Sequence, residues 1–271
     1  MLNSQTLGLT LLTSLLFIGN ASAEGDTLSE TDNVAISFWI ATAMMLASTA
    51  FFLIERSSVA PKWRTSMTVA ALVTGVAWYH YSYMREHWII TGESPLVLRY
   101  VDWLITVPLQ VSEFYLILAA VGVASMALFW RLVGASVVML VSGFLGESGA
   151  IDIWLGFAVG MIAWAYIIYE IWVGDAKEAS KNASEGTQFA FRAMAIILTM
   201  GWAIYPIGYV YGADGDTEAI NNLNILYNIA DVLNKTAFGL MVWYAATIDT
   251  CLLYTSDAAD EGLGVDLGGR R

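Results

Sequence analysis

The stretch RYVDWLITVPLQVSEFY, from Arg99 to Tyr115, places charged and amide side chains at helical spacing within a strongly apolar segment. A charge near the middle of a membrane costs about 2.5–3.5 kcal/mol even on insertion scales. Intramembrane charges therefore face the interior of a helix bundle and usually carry function. If this segment crosses a membrane, its polar side chains mark the inner wall of a bundle.

The whole chain has the composition of an integral membrane protein. Of its 271 residues 58% are hydrophobic and 13% charged, which is too apolar for an ordinary soluble domain. A spanning helix needs about 20 mainly apolar residues, and seven such runs occur. They are approximately Val34–Ile54, Thr65–Met84, Leu96–Val121, Ser125–Leu145, Ile151–Trp172, Phe189–Tyr211 and Ala219–Ile248. The sequence predicts an all-α membrane protein, a seven-transmembrane-helix bundle, whose least distinct boundary is the split at VGVAS, residues 121–125.

Both ends of the chain differ from this seven-helix domain, which we assign to residues 24–250. Residues 1–23 have an apolar core followed by Ala21-Ser22-Ala23, the pattern of a signal peptide and its cleavage site. This segment lacks Lys and Arg, so a short uncleaved helix is the alternative. Residues 251–271 form a polar, Gly- and Asp-rich tail that we interpret as foreign to the natural protein. The single cysteine, Cys251, lies there and indicates nothing about disulfides.

The distribution of Lys and Arg predicts the orientation in the membrane. Basic residues cluster after the first span, near the start of the fourth and around the connection that follows the fifth. Because such loops stay in the cytoplasm, the N-terminus is expected outside and the C-terminus inside a bacterial-type inner membrane. The net charge of -12 comes mostly from the outer loops. It indicates no nucleic-acid partner, and membrane lipid is the expected surrounding.

The polar residues of the third span form one stripe. Asp102, Thr106, Gln110 and Glu113 recur at intervals of three or four residues. At 1.5 Å per residue, Asp102 and Glu113 are about 16 Å apart along the axis. Because this helix enters from outside, Arg99 and Asp102 lie toward the outer side and Glu113 toward the cytoplasm.

The seventh span supplies a buried cation. In LYNIADVLNKTAFGL, Asp231 lies one helical turn before Lys235. A buried lysine keeps its proton when carboxylates are near, or when it becomes a protonated Schiff base. This asymmetric set of one cation, two outer acids and one inner acid suits a proton that is taken up on one side and delivered to the other. The alternative is a buried ion-pair network that only fixes helix packing.

Aromatic residues share these helices. Trp103, Trp202, Tyr205 and Tyr227 occur with a mid-helix Pro206 in GWAIYPIGY. Such residues are commonly plain core, but a long, flat, apolar ligand on Lys235 requires walls of this kind. A proline within a helix also frees a backbone carbonyl.

These motifs resemble the microbial rhodopsins, and among them the proteorhodopsins closely, from about Val34 to Ile248. The resemblance implies all-trans retinal bound to Lys235 as a protonated Schiff base. It implies Asp102 as primary counterion and proton acceptor, Asp231 as second counterion, Arg99 as the arginine of the counterion complex, and Thr106 and Glu113 as partners of Asp102 in the pumping triplet. Glu113 then is the cytoplasmic proton donor. The implied function is light-driven outward proton pumping, with no enzymatic activity and no metal.

The resemblance also assigns residues around the retinal. His80 matches the histidine that pairs with the acceptor and makes pumping pH dependent. Gln110 matches a position at which Gln is typical of blue-absorbing, slower-cycling members. Met139, Gly143 and Trp164 match pocket positions. The alternative is an ordinary interhelical hydrogen bond for Gln110, a hydrogen-bonded core histidine for His80, and plain core packing for the other three residues. Members form pentameric or hexameric rings, in which Trp39 is expected to lie near the His80 of a neighbouring copy.

Two other functions stay open at this point. A photosensory rhodopsin that signals to a transducer has the same fold, although Glu113 argues against it because a sensor needs no fast reprotonation. A seven-helix receptor or transporter for a diffusible ligand gives no reason for an acid one turn before a lysine. The proton release route is unassigned, since Glu147 alone is an outer acid near a helix end.

Overall fold

The computed structural model describes residues 28–213 and 217–264, and all regular elements in these ranges are helical. The signal-peptide prediction for residues 1–23 lies outside the described residues. The long helices are α1 (Asn33–Glu55), α2 (Arg64–Thr91), α3 (Leu96–Ala120), α4 (Met126–Glu147), α5 (Ile153–Trp172), α6 (Glu185–Ala213) and α7, which begins as Thr217–Val232 and ends as Phe238–Gly264. Short helices Pro61–Trp63 and Asp175–Ser180 lie in two connections. The predicted seven-helix bundle is confirmed.

The helices have the length and composition of membrane spans. Six of those in the described ranges are long and apolar enough to cross a membrane, and α2 is the exception. With 28 residues α2 is also long enough, but its C-terminal part carries Arg85, Glu86 and His87. Consecutive helices pack on each other, and α7 closes the ring against α1, α2 and α6. The polar stripe of α3 therefore faces the middle of the bundle.

Caps and glycines set the helix ends. The split at VGVAS is confirmed, because α3 ends at Ala120 and α4 begins at Met126. Gly122 has a φ of 80°, which favours glycine, and the Ser125 side chain accepts a hydrogen bond from the Leu128 amide. The Asp32 and Asp152 side chains cap α1 and α5 in the same way. Local signals thus define the ends of helices whose middles are uniformly apolar.

The end of α7 differs from the prediction. The sequence predicts that this span ends at Ile248 and that a polar tail begins at Cys251, but the helix continues to Gly264. Residues 251–261 contain no proline or glycine, and alanine and leucine favour a helix whether or not a membrane surrounds it. The origin of residues 251–271 stays a prediction.

Two helices contain π-helical segments that face each other. They are Ile197–Gly201 in α6 and Leu233–Ala237 in α7. A β-carbon on Gly201 would lie 1.9 Å from Oδ1 of Asn234, so only glycine admits this asparagine. Single π-helical turns occur frequently at functional sites because they displace side chains and free carbonyls. The α7 segment contains Lys235.

Candidate functional site

A buried lysine bound to two carboxylates forms the centre of the bundle. The Nζ of Lys235 lies 2.7 Å from Oδ2 of Asp102 on α3 and 2.7 Å from Oδ2 of Asp231 on α7. Lys235 is 2% exposed, and both aspartates are equally buried. A buried ammonium needs such partners, because its desolvation is otherwise too costly. The three residues that the sequence singles out are thus in direct contact.

The two carboxylates differ in their other partners. The carboxylate of Asp231 accepts hydrogen bonds from the Tyr81 hydroxyl at 2.8 Å and the Tyr205 hydroxyl at 2.5 Å, and from the Trp103 indole at 3.3 Å. That of Asp102 has, besides Lys235, the Nδ1 of His80 at 3.2 Å. Hydrogen bonds to a carboxylate stabilise its charged form. Among the described side chains, Asp231 therefore receives much more of this stabilisation than Asp102.

Thr106 and Arg99 lie next to this centre but make other bonds. The Thr106 hydroxyl donates to the backbone carbonyl of Asp102 at 3.0 Å. Arg99 donates from Nη2 to the side-chain oxygens of Asn224 and Asn228 on α7. In the part of the chain that the structure describes, Arg99 forms no ion pair with a carboxylate, although the sequence analysis expects it in the counterion complex. The guanidinium carbon instead lies 5.3 Å from the ring centre of Phe38 and 5.4 Å from that of Tyr227, within the range of a cation–π interaction.

Glu113 occupies a different environment from the two aspartates. It is 1% exposed, and both of its carboxylate oxygens are buried without a hydrogen-bond partner in the described ranges. The Ser66 hydroxyl of α2 lies close enough to interact with this carboxyl, and Phe114, the next residue of α3, packs against Phe191 of α6 and Phe238 of α7. An isolated buried carboxyl is far cheaper in its neutral form than as an anion. The surroundings of Glu113 thus favour a neutral carboxyl, whereas those of Asp102 and Asp231, which face Lys235, favour carboxylates.

A cavity extends from Lys235 between α3, α4, α5 and α6. All ten residues that the sequence analysis assigns to ligand binding line it: Trp103, Gln110, Met139, Gly143, Trp164, Trp202, Tyr205, Pro206, Tyr227 and Lys235. Gly143 keeps the wall open, since a β-carbon there would lie 3.0 Å from the Tyr100 hydroxyl. The indole nitrogen of Trp164 is buried without a described partner. A narrow cavity with aromatic walls that ends at an amine fits a flat apolar aldehyde such as retinal.

The Gln110 side chain is held by the backbone of α7. Its Nε2 donates a hydrogen bond of 3.0 Å to the carbonyl oxygen of Asn234, the residue before Lys235. This carbonyl belongs to the π-helical segment, where the regular helical bonding is displaced. The Asn234 amide in turn donates to the Tyr205 hydroxyl at 3.2 Å. Gln110 is therefore fixed close to the lysine by a bond between α3 and α7, which fits both the tuning role and the interhelical role considered for it.

Residues that the sequence analysis did not assign also contribute. Tyr81 contacts Asp231, and Asn224 and Asn228 hold Arg99. The Tyr100 hydroxyl donates to Glu147 at 2.5 Å, and both residues line the cavity. Polar residues repeat on α7 at 224, 228, 231 and 235. This spacing of four, three and four is a helical stripe and was a usable signal for the two asparagines.

Trp39 lies apart from His80 on the outside of α1. It is 44% exposed, and the guanidinium of Arg85 lies 3.9 Å from its ring centre. His80 is 9% exposed and turns inward to Asp102. The contact between Trp39 and a neighbouring copy stays a prediction.

Comparison with known proteins agrees with this site. A family model described as bacteriorhodopsin-like protein matches residues 32–248. The chain belongs to this family. It is accordingly a multi-pass membrane protein, and a transporter rather than an enzyme.

Among its relatives are proteorhodopsins named as green-light absorbing and as blue-light absorbing. The chain is 49% identical over 239 residues to the green-light absorbing proteorhodopsin of Gamma-proteobacterium EBAC31A08, covering 88% of this chain and 96% of the relative. It is 48% identical over 240 residues, with the same coverage, to the blue-light absorbing proteorhodopsin of Gamma-proteobacterium Hot 75m4. The crystal structure of blue light-absorbing proteorhodopsin from Med12 has 56% identity and a TM-score of 0.69, covering 80% of this chain and all of that one. Because the identities to the green-absorbing and blue-absorbing relatives are nearly equal, overall identity does not indicate which colour this chain absorbs. That question depends on the residues of the site.

Proposed function

We propose that this rhodopsin is a light-driven outward proton pump with retinal bound covalently to Lys235. The observation that carries the proposal is the placement of its ionisable groups. Two carboxylates contact the amine of Lys235, and a third, Glu113, is buried without a cation on the inner half of α3. Bound at Nζ as a protonated Schiff base, retinal supplies light absorption and a light-driven change of shape that displaces the Nζ proton.

Asp102 is the better proton acceptor of the two aspartates. Both lie 2.7 Å from Nζ, within direct transfer distance. The hydroxyls of Tyr81 and Tyr205 donate to Asp231 and favour its charged form, whereas neither hydroxyl bonds Asp102. The proton of Nζ is therefore expected on Asp102 and not on Asp231.

Glu113 is the proposed donor that restores the proton. It is buried and no cation faces it among the described residues, so burial favours its neutral form, which can release a proton once Nζ has become a free base. The basic loops predict that the end of α3 near Glu113 faces the cytoplasm. Acceptor and donor then lie on opposite sides of Lys235, which gives the transfer its outward direction.

Light-driven acidification tests this function. Cells that express the chain with added retinal are illuminated, and external pH is followed with and without a protonophore. Acidification that the protonophore abolishes supports the pump. A normal visible band without any pH change would favour the sensory alternative, and alkalinisation would contradict the outward direction.

Gln110→Leu is expected to move the absorption maximum to longer wavelength. The amide dipole next to Lys235 favours the ground state, in which positive charge stays near Nζ, over the excited state, in which the charge spreads along the polyene. Removal of the dipole narrows the energy gap. Absorption spectra of the purified variants measure the shift. Gln188→Leu, at the cytoplasmic start of α6, is the control, and an unmoved band in Gln110→Leu would exclude Gln110 from tuning.

A further inference from the structure

The guanidinium of Arg99 is anchored by two asparagines. Its Nη2 lies 2.9 Å from Oδ1 of Asn224 and 2.8 Å from Oδ1 of Asn228. All three side chains are at most 1% exposed. The asparagines lie seven and three residues before Asp231, on the same face of α7 and farther along the helix from Lys235. A buried arginine ordinarily takes a carboxylate as its partner, which suits its planar fork of donors.

The asparagines are themselves fixed with their oxygens toward Arg99. The amide nitrogen of Asn228 donates to the Ser37 hydroxyl of α1 at 2.8 Å, and that of Asn224 donates to the Ile220 carbonyl at 2.9 Å. The Ser94 hydroxyl, just before α3, also donates to Oδ1 of Asn224 at 3.2 Å. Because each amide nitrogen is already bound, each amide oxygen is left to accept from the arginine.

Arg99 retains the capacity to bind a carboxylate. Its Nε and Nη1 are buried and have no partner among the described residues. Asp102 lies one turn further along α3, and a carboxylate offers about four acceptor positions, of which the described contacts of Asp102 use two. Without the asparagines, the carboxylates available to the guanidinium include Asp231 and Glu147, whose charges interact with Arg99, and Asp102 one turn along α3.

We propose that Asn224 and Asn228 are positioning residues that hold the Arg99 charge away from Asp102 and thereby keep Asp102 able to accept a proton. The proposal rests on the pump function above. An arginine in contact with Asp102 would favour its anion by roughly a factor of ten or more, the usual effect of an opposite charge within about 4–6 Å. The equilibrium constant for the light-driven proton transfer from Lys235 to Asp102 would then fall by that factor.

The experiment compares Asn228→Leu and Asn224→Leu with wild type in the retinal-reconstituted protein. Flash photolysis follows the transient absorbance that reports loss of the Nζ proton. Each leucine variant is expected to reduce the equilibrium constant for proton transfer from Nζ to Asp102 about tenfold. Each is also expected to move the visible band to longer wavelength, because the positive charge of Arg99 comes closer to Nζ. Asn222→Leu, on the exposed face of α7, is the matched control and keeps the wild-type values.

Asn228→Asp separates positioning from packing. It keeps the acceptor for Nη2, holds Arg99 more strongly through its charge, and is expected to retain proton transfer and to move the band in the opposite direction from Asn228→Leu. If a leucine variant forms no coloured protein, the alanine substitution at the same position is used. Alanine also removes the hydrogen-bond acceptor but needs less space than leucine. Leucine variants with wild-type kinetics, or a change of the same sign and size in Asn228→Asp, would overturn the proposal. Absent colour or acidification in wild type would instead refute the pump function.

Discussion

Lys235→Ala is expected to yield a folded, colourless protein. The alanine removes the amine that ends the cavity, so retinal has no atom to bond with, and pumping falls to the background of cells without the protein. The two aspartates also lose the cation that compensates their burial, which costs several kcal/mol of stability unless one of them takes up a proton. Absorption spectra after addition of retinal measure the loss of colour, and circular dichroism measures the helix content.

Lys235→Arg is the informative control for this substitution. It keeps a positive charge between Asp102 and Asp231, but a guanidinium does not form the covalent bond. It is therefore expected to be more stable than Lys235→Ala and equally colourless. A visible band that survives removal of free retinal in either variant would show that Lys235 is not the attachment site.

Glu113→Gln is expected to slow the return of the proton to Nζ by about 10²-fold or more, since this is the usual contribution of a positioned general acid. Colour and the forward transfer to Asp102 should change little, because Glu113 lies about three helical turns from Asp102. Under continuous light the turnover of the pump falls by the same factor. Flash photolysis resolves the two steps, and external pH reports turnover.

A membrane-permeant weak acid is expected to restore the return step in Glu113→Gln by carrying protons into the inner half of the bundle. Glu55→Gln is the matched control, because this glutamate accepts a bond from Trp243 at the end of α1 and lies outside the proposed proton path. Its return step is expected at the wild-type rate. A wild-type rate in Glu113→Gln would remove Glu113 from the donor role and strengthen the sensory alternative.

Helical spacing and membrane energetics predict much of this site. The stripe on α3, and Asp231 one turn before Lys235, are consequences of 3.6 residues per turn together with the cost of facing lipid. The resemblance adds which residues approach each other from different helices. Helical spacing and the resemblance both predict which face of a helix a residue occupies. The contacts among Asp102, Asp231 and Lys235 agree with that prediction.

The sequence does not predict contacts that depend on the rotation of a helix about its axis or on which of several acceptors a side chain bonds. The Tyr81 hydroxyl reaches Asp231 only because of the way α2 is rotated in the bundle. Thr106 bonds a backbone carbonyl that every helical threonine has within reach. Arg99 takes two amide oxygens in place of the expected carboxylates. In each case several acceptors are compatible with the sequence, and tertiary packing decides between them.

Under the tuning role proposed for Gln110, its bond to the Asn234 carbonyl links the colour of this protein to the speed of its cycle. The same amide that acts on the energy of the absorbed light also restrains the backbone that carries Lys235. A leucine at this position loses both effects in one step. Under that role, absorption and turnover change together at Gln110, and a second substitution elsewhere is required to separate the two traits.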